Sequence, residues 1–149
     1  MNRLLLQAAT LLPAAGPALA QTRPDRPIDT RVTQLDRQIA PAVKQARATL
    51  PQAKRRYLAG LPAGATLYVT TRLSDPDGDP QEQVFVRVTQ WRGSTIRGVL
   101  DNDLQAVKTF RRGQAVTVAE AAVLDWTINS PGGPQEGTYV GKLLQAQAR

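Results

Sequence analysis

The sequence predicts an α+β fold, with N-terminal helices packed on a curved, mainly antiparallel β-sheet of about five strands. Three observations carry that prediction. Apolar residues recur every three or four positions from Val32 to Tyr57, the spacing that lines one face of a helix. After Gly64 the period changes to alternation, in short runs rich in Val, Thr, Tyr and Phe. Asp, Pro and Gly gather between those runs, where tight connections need them.

Taken in chain order, the first segment reads as an export signal. Arg3 gives a positive start, Leu4 to Leu12 an apolar stretch too short to span a bilayer, and Ala18-Leu19-Ala20 the small residues that signal peptidase requires. Pro13, Gly16 and Pro17 exclude a continuous amphipathic helix there. Residues 1–20 are therefore expected to be removed, leaving Gln21 as the mature N-terminus. Without cysteine there is no site for lipid attachment, and no later segment is apolar enough to span a membrane. A periplasmic or secreted product is expected.

Residues 21–30, with Pro24 and Pro27, read as a disordered leader, and residues 31–149 as a single domain. Val32, Leu35, Ile39, Val43, Ala46, Leu50, Ala53 and Tyr57 form the helical stripe, which Pro41 and Pro51 interrupt. Thr49-Leu50-Pro51-Gln52 reads as a capping box, with Thr49 accepting from a first-turn N–H. Helices are expected over 31–48 and 50–59, closed by Gly60 and Pro62. Strands are expected over 66–73 and 82–90, joined by a hairpin at Asp75-Pro76-Asp77-Gly78-Asp79-Pro80. In the second strand Val84, Val86 and Val88 point one way and Phe85, Arg87 and Thr89 the other, so one face is buried. Further strands are expected over 94–100, 114–118 and 138–144, with a shorter one over 124–128.

Composition removes whole classes of chemistry. The chain has no Cys, no His and a single Met at position 1, which excludes disulfides, thiolate nucleophiles, Ser-His-Asp triads and histidine-bound zinc or copper. The formal charge is +7, and in the expected mature chain the excess lies between Arg23 and Leu58; from Ala59 onward acidic and basic residues balance. No aromatic residues interleave with these charges to stack on bases, so nucleic acid is not an expected partner. The charges read as a solvated helix face, on which Arg55 and Arg56 point to water.

Three candidate sites follow from residue type and spacing. Asp75, Asp77 and Asp79 have the alternate spacing of a calcium loop, but Pro80 stands where a sharply turning glycine is needed and Val86 where a bidentate glutamate belongs. No metal site is expected. Asp101, Asp103, Glu120 and Asp125 are acid-base candidates by type alone. Of these, Asp125 beside Trp126 lies in an otherwise apolar run and must find hydrogen-bond donors if buried, from backbone N–H groups or an arginine. Gly132-Gly133 and Gly137 form a flexible turn without the lysine or serine of a phosphate loop.

An ordered series of segments carries a resemblance. Ala46-Arg47-Ala48-Thr49-Leu50-Pro51, Glu82 to Val88, Ile96 to Asn102, Arg112 to Val118, Leu124-Asp125-Trp126 and Gly137 to Leu144 together resemble the bacterial DUF2314 family, a domain of unknown function, over roughly residues 42–145. Departures fall at Phe85, where the family commonly has Trp, at Asp103-Leu104, where a Pro-containing segment is usual, at Thr127, where Met is usual, and at Gly141, where Arg is common. The resemblance implies a compact α+β fold and carries no activity. Asn102, Asp125 and Trp126 are the candidate ligand-contacting residues. No cofactor is expected.

The reading that follows is a non-enzymatic envelope module that binds a protein or an anionic envelope component through its sheet face or its basic helical face. Two alternatives remain open. One is a carboxylate-dependent hydrolase of a cell-wall or saccharide substrate, using Asp125 with a second acid. The other, by analogy of arrangement, is a toxin-immunity protein.

Overall fold

The computed structural model describes residues 27–149. The expected signal peptide and most of the expected leader lie outside the described residues. Helix α1 (Pro27–Ala59) is followed by β1 (Thr66–Ser74), β2 (Gln81–Arg92), β3 (Thr95–Leu100), β4 (Ala115–Ala119), β5 (Asp125–Asn129), β6 (Glu136–Gly137) and helix α2 (Tyr139–Gln147). The six strands form one open antiparallel sheet in the order β4-β3-β2-β1-β5-β6. The α+β class is as expected, with one strand more. Among the described residues no helix is long and apolar enough to cross a membrane.

Helix α1 is continuous where two helices were expected, and it starts inside the expected leader. Pro41 and Pro51 both lie within it, each removing one backbone bond at a cost of about 3 kcal/mol. The stripe Ile39, Ala42, Ala46, Leu50 and Ala53 is buried on both sides of Pro41 and Pro51. Full burial of Ile39 and Leu50 contributes about 1.5–3 kcal/mol each, and breaking the helix would withdraw part of that stripe from the core. Thr49 accordingly does not cap a new helix. Its hydroxyl reaches back to the carbonyls of Gln45 and Ala46, both at 3.1 Å, and accepts from the Trp126 indole at 3.0 Å.

Alternation sorts the sheet into two faces. Leu67, Val69, Val84, Val86, Val88, Ile96, Leu100, Val116, Val118, Trp126 and Ile128 pack beneath α1 in one core. A bulge between Val88 and Gln90 shifts the parity of β2 by one residue and turns Trp91 inward as well. There Trp91 lies tilted against Tyr57, ring centres 6.4 Å apart, and its indole donates to Glu120 at 3.1 Å, which also pairs with Lys54 of α1 at 2.8 Å.

The hairpin at 75–80 forms as expected, but its flanks hold the long connection between β3 and β4. Glu82 accepts backbone N–H bonds from Gln105, Ala106 and Val107, and Asp75 accepts them from Lys108 and Thr109. These bonds hold the Glu82 carboxyl below the ordinary glutamate range despite its partial burial. Asp75 is thus engaged by its own chain, and among the described residues no cluster of acidic side chains could hold a metal ion.

The strand expected over 138–144 is corrected: Thr138 leads into helix α2, which takes up the chain from Tyr139 to Gln147. Tyr139, Val140 and Leu143 face Ile39, Ala42 and Val43 of α1 in a second apolar cluster. The β-prone Thr138-Tyr139-Val140 thus yields to tertiary packing.

Candidate functional site

Asp125 and Trp126 open β5 and point to opposite faces of it, and both are buried, at 4 % and 5 % exposure. Trp126 lies under α1, bonded to Thr49 and edge-on to Tyr139 at 6.0 Å between ring centres. The Asp125 carboxylate accepts the backbone N–H of Trp126 at 2.9 Å, Tyr139 at 3.1 Å and Val140 at 2.8 Å. The last two are the first N–H groups of α2, whose own capping residue, Thr138, makes no side-chain cap. Asp125 therefore caps α2 from a strand fourteen residues upstream of Tyr139. Burial raises its carboxyl above the ordinary aspartate range, and the bonds from Val140, Trp126, Tyr139 and Gly141 oppose that rise.

Asn102 lies elsewhere. Its side-chain oxygen accepts the Phe85 N–H at 2.8 Å, which pins the end of β3 to β2. Strand β1 separates β2 from β5, so the structure does not bring Asn102 together with Asp125 and Trp126.

What the fold does assemble is the sheet face away from α1. Cross-strand register places Tyr68, Arg87, Val99, Ala115 and Thr127 in one row of that face, and Phe85, Thr70 and Asp125 in the next. Phe85 is 49 % exposed, and Arg87 and Arg97 also point outward. At one end the face hollows into a cavity of about 320 Å³ lined by Tyr68, Phe85, Asp101, Thr127, Asn129, Gln135 and Thr138. Three features mark it. The Asn129 side-chain oxygen is buried without a hydrogen-bond partner. Thr138 is the one residue other than glycine with a left-handed backbone among the described residues, at φ 56°, and its hydroxyl bonds that of Thr127 at 2.9 Å. Burial, and then the neighbouring Asp101 carboxylate, raises the Tyr68 phenol above its usual range, with Arg87 pulling the other way.

A second cavity, of about 380 Å³, lies between α1 and the sheet, with Asp36, Ile39, Val43, Lys44, Arg47 and Arg72 in its wall. Its arginines are already committed. Arg72 pairs with Asp36, and Arg47 donates to the carbonyls of Val123 and Ala121 at 3.1 and 3.2 Å. It is a joint between layers.

Sequence reasoning placed Phe85 and Arg87 on the outward face but missed Tyr68, Asn129, Gln135 and Thr138 as neighbours. Asn129-Ser130-Pro131 reads locally as turn chemistry, and only the β1–β5 register sets Asn129 opposite Thr66, one row from Tyr68. The sequence pattern places Gly137 in a flexible turn. It is instead fixed in β6, where a Cβ would meet the Trp126 carbonyl oxygen at 2.2 Å.

These features define an α+β protein with one helix-covered and one open sheet face. The chain belongs to the family described as "Uncharacterized protein conserved in bacteria (DUF2314)", which matches residues 36–148. No curated protein and no solved structure matches it.

Proposed function

We propose that this chain is an exported, non-enzymatic binding module that meets a protein or an anionic component of the cell envelope through its open sheet face. The observation that carries the reading is the half-exposed Phe85 ring flanked by outward Arg87 and by a cavity with an unpaired polar atom. Large aromatic side chains and arginines are the groups that supply most binding energy at protein surfaces. Asp125 gives the hydrolase reading no support, because both its carboxylate oxygens are bonded to backbone N–H groups. The export half of the proposal rests on Ala18-Leu19-Ala20 after an apolar stretch. Intact mass of the chain recovered from the periplasm or medium tests it, the expected product starting at Gln21.

The binding half is tested by retention of an envelope extract on the immobilised mature chain. Phe85→Ser and Arg87→Glu are expected to abolish retention, while Arg37→Gln with Arg55→Gln on the exposed side of α1 leaves it intact. Retention that follows the helix charges and ignores the sheet variants refutes the assignment to the open face.

A further inference from the structure

Resting on the reading of the open face as a binding surface, we infer that the cavity at Tyr68, Phe85 and Asn129 takes one neutral sugar ring of a glycan. The chemistry of the wall selects this class. Asn129, Gln135 and the Thr127-Thr138 hydroxyl pair offer uncharged polar groups of both senses. The Phe85 ring stands at the rim, half exposed, as a flat surface for the C–H face of a pyranose. The Asn129 oxygen has no partner in the protein. Because Asn129 lines the cavity, a ligand hydroxyl that reaches this oxygen supplies a donor it lacks in the protein, and the oxygen gives up no internal bond in exchange.

Other ligand classes fit the same wall poorly. A phosphate needs a fork of cations or a cradle of N–H groups, and the cavity wall carries the Asp101 carboxylate and no cation. An extended peptide adds to a sheet edge, whereas Tyr68, Phe85 and Thr127 lie in strands paired on both sides. An acyl chain gains nothing from a wall of threonine, asparagine and glutamine.

The test uses the mature chain, isotope-labelled, titrated by NMR with soluble N-acetylglucosamine and glucose oligosaccharides, with inorganic phosphate in a parallel arm. Saturable shifts are expected at Tyr68, Phe85, Thr127 and Asn129 with at least one oligosaccharide. Phe85→Ala and Asn129→Ala are expected to weaken that binding about tenfold or more, the loss of one stacking or hydrogen-bonding contact. A superposable far-UV spectrum and melting curve for each variant establish that the fold is kept. Absence of saturable shifts with every oligosaccharide overturns the inference, as does equal affinity in both variants or a response to phosphate alone. If the inference fails in this way while Phe85→Ser still abolishes envelope retention, the open face binds something other than sugar. If sugar fails and retention ignores the face, both readings fall.

Discussion

Replacing Asp125 with Ala removes the acceptor that closes the N-terminus of α2. The carboxylate takes three N–H groups, at 2.8 to 3.1 Å, two of them from the first turn of that helix. Loss of a helix cap costs about 0.5–2 kcal/mol, and a buried donor left without a partner about 1–3 kcal/mol. The first turn of α2 can lift to reach water, so these costs do not add in full, and a net loss of about 3 kcal/mol is expected. Asp125→Asn keeps the shape and one acceptor oxygen, and is expected to cost about 1–3 kcal/mol. Urea unfolding followed by tryptophan fluorescence gives the loss, and amide exchange at residues 139–147 shows whether α2 is the part released. The pH dependence has a definite sign. Because burial raises the Asp125 carboxyl, the folded state holds its proton more tightly than the unfolded chain. Its contribution therefore falls as pH rises from the ordinary aspartate range through the raised value, and Asp125→Asn removes that slope. An Asp125→Ala variant with the parent's midpoint and a fully protected α2 refutes the capping argument.

Four further substitutions have expected outcomes. Gly137→Ala is expected to lower the melting temperature sharply, since its Cβ would meet the Trp126 carbonyl oxygen at 2.2 Å and its ring at 2.7 Å from a left-handed backbone at φ 77°; unchanged melting contradicts the close packing of β6. Arg55→Gln is expected to change stability by about 0.5 kcal/mol or less. Arg56 differs from the solvated arginine expected from sequence, because it forks onto Glu136 at 2.6 and 3.0 Å; a double-mutant cycle with Glu136→Gln is expected to give a coupling of about 0.2–1 kcal/mol for this part-exposed pair. Burial alone would raise the Glu120 carboxyl, but Lys54 and the Trp91 indole hold it below the ordinary range. Its stabilisation is thus fully present above about pH 4.3 and lost as pH falls through its lower folded value. Glu120→Gln should lose that part of the acid dependence, as urea midpoints across the acid range will show.

Legibility followed the range of the interactions. The helical stripe of α1 and the alternation of β2 are local patterns with a single face to bury, and both were readable within a few residues of their ends. The two prolines misled because their local cost is plain in the sequence, whereas the burial that offsets it depends on a sheet built later in the chain. Helix α2 failed for the same reason. Its cap is on β5 and its apolar partners are on α1, leaving Thr138-Tyr139-Val140 to be judged on strand propensity alone. The need of Asp125 for donors was visible from its apolar neighbours, but their identity as the start of a helix was not. The cavity was the least legible feature, since Tyr68, Phe85, Asn129 and Thr138 come from three strands and the residue just before α2.

The proposed working surface, the open sheet face, is tested by mapping amide shifts of the labelled chain from Gln21 onward against a solubilised envelope fraction. Perturbation is expected to concentrate at Tyr68, Phe85, Arg87, Thr127 and Asn129, with the exposed side of α1 silent. Shifts confined to Arg37, Lys44 and Arg55 on α1, with the sheet face unmoved, would contradict it.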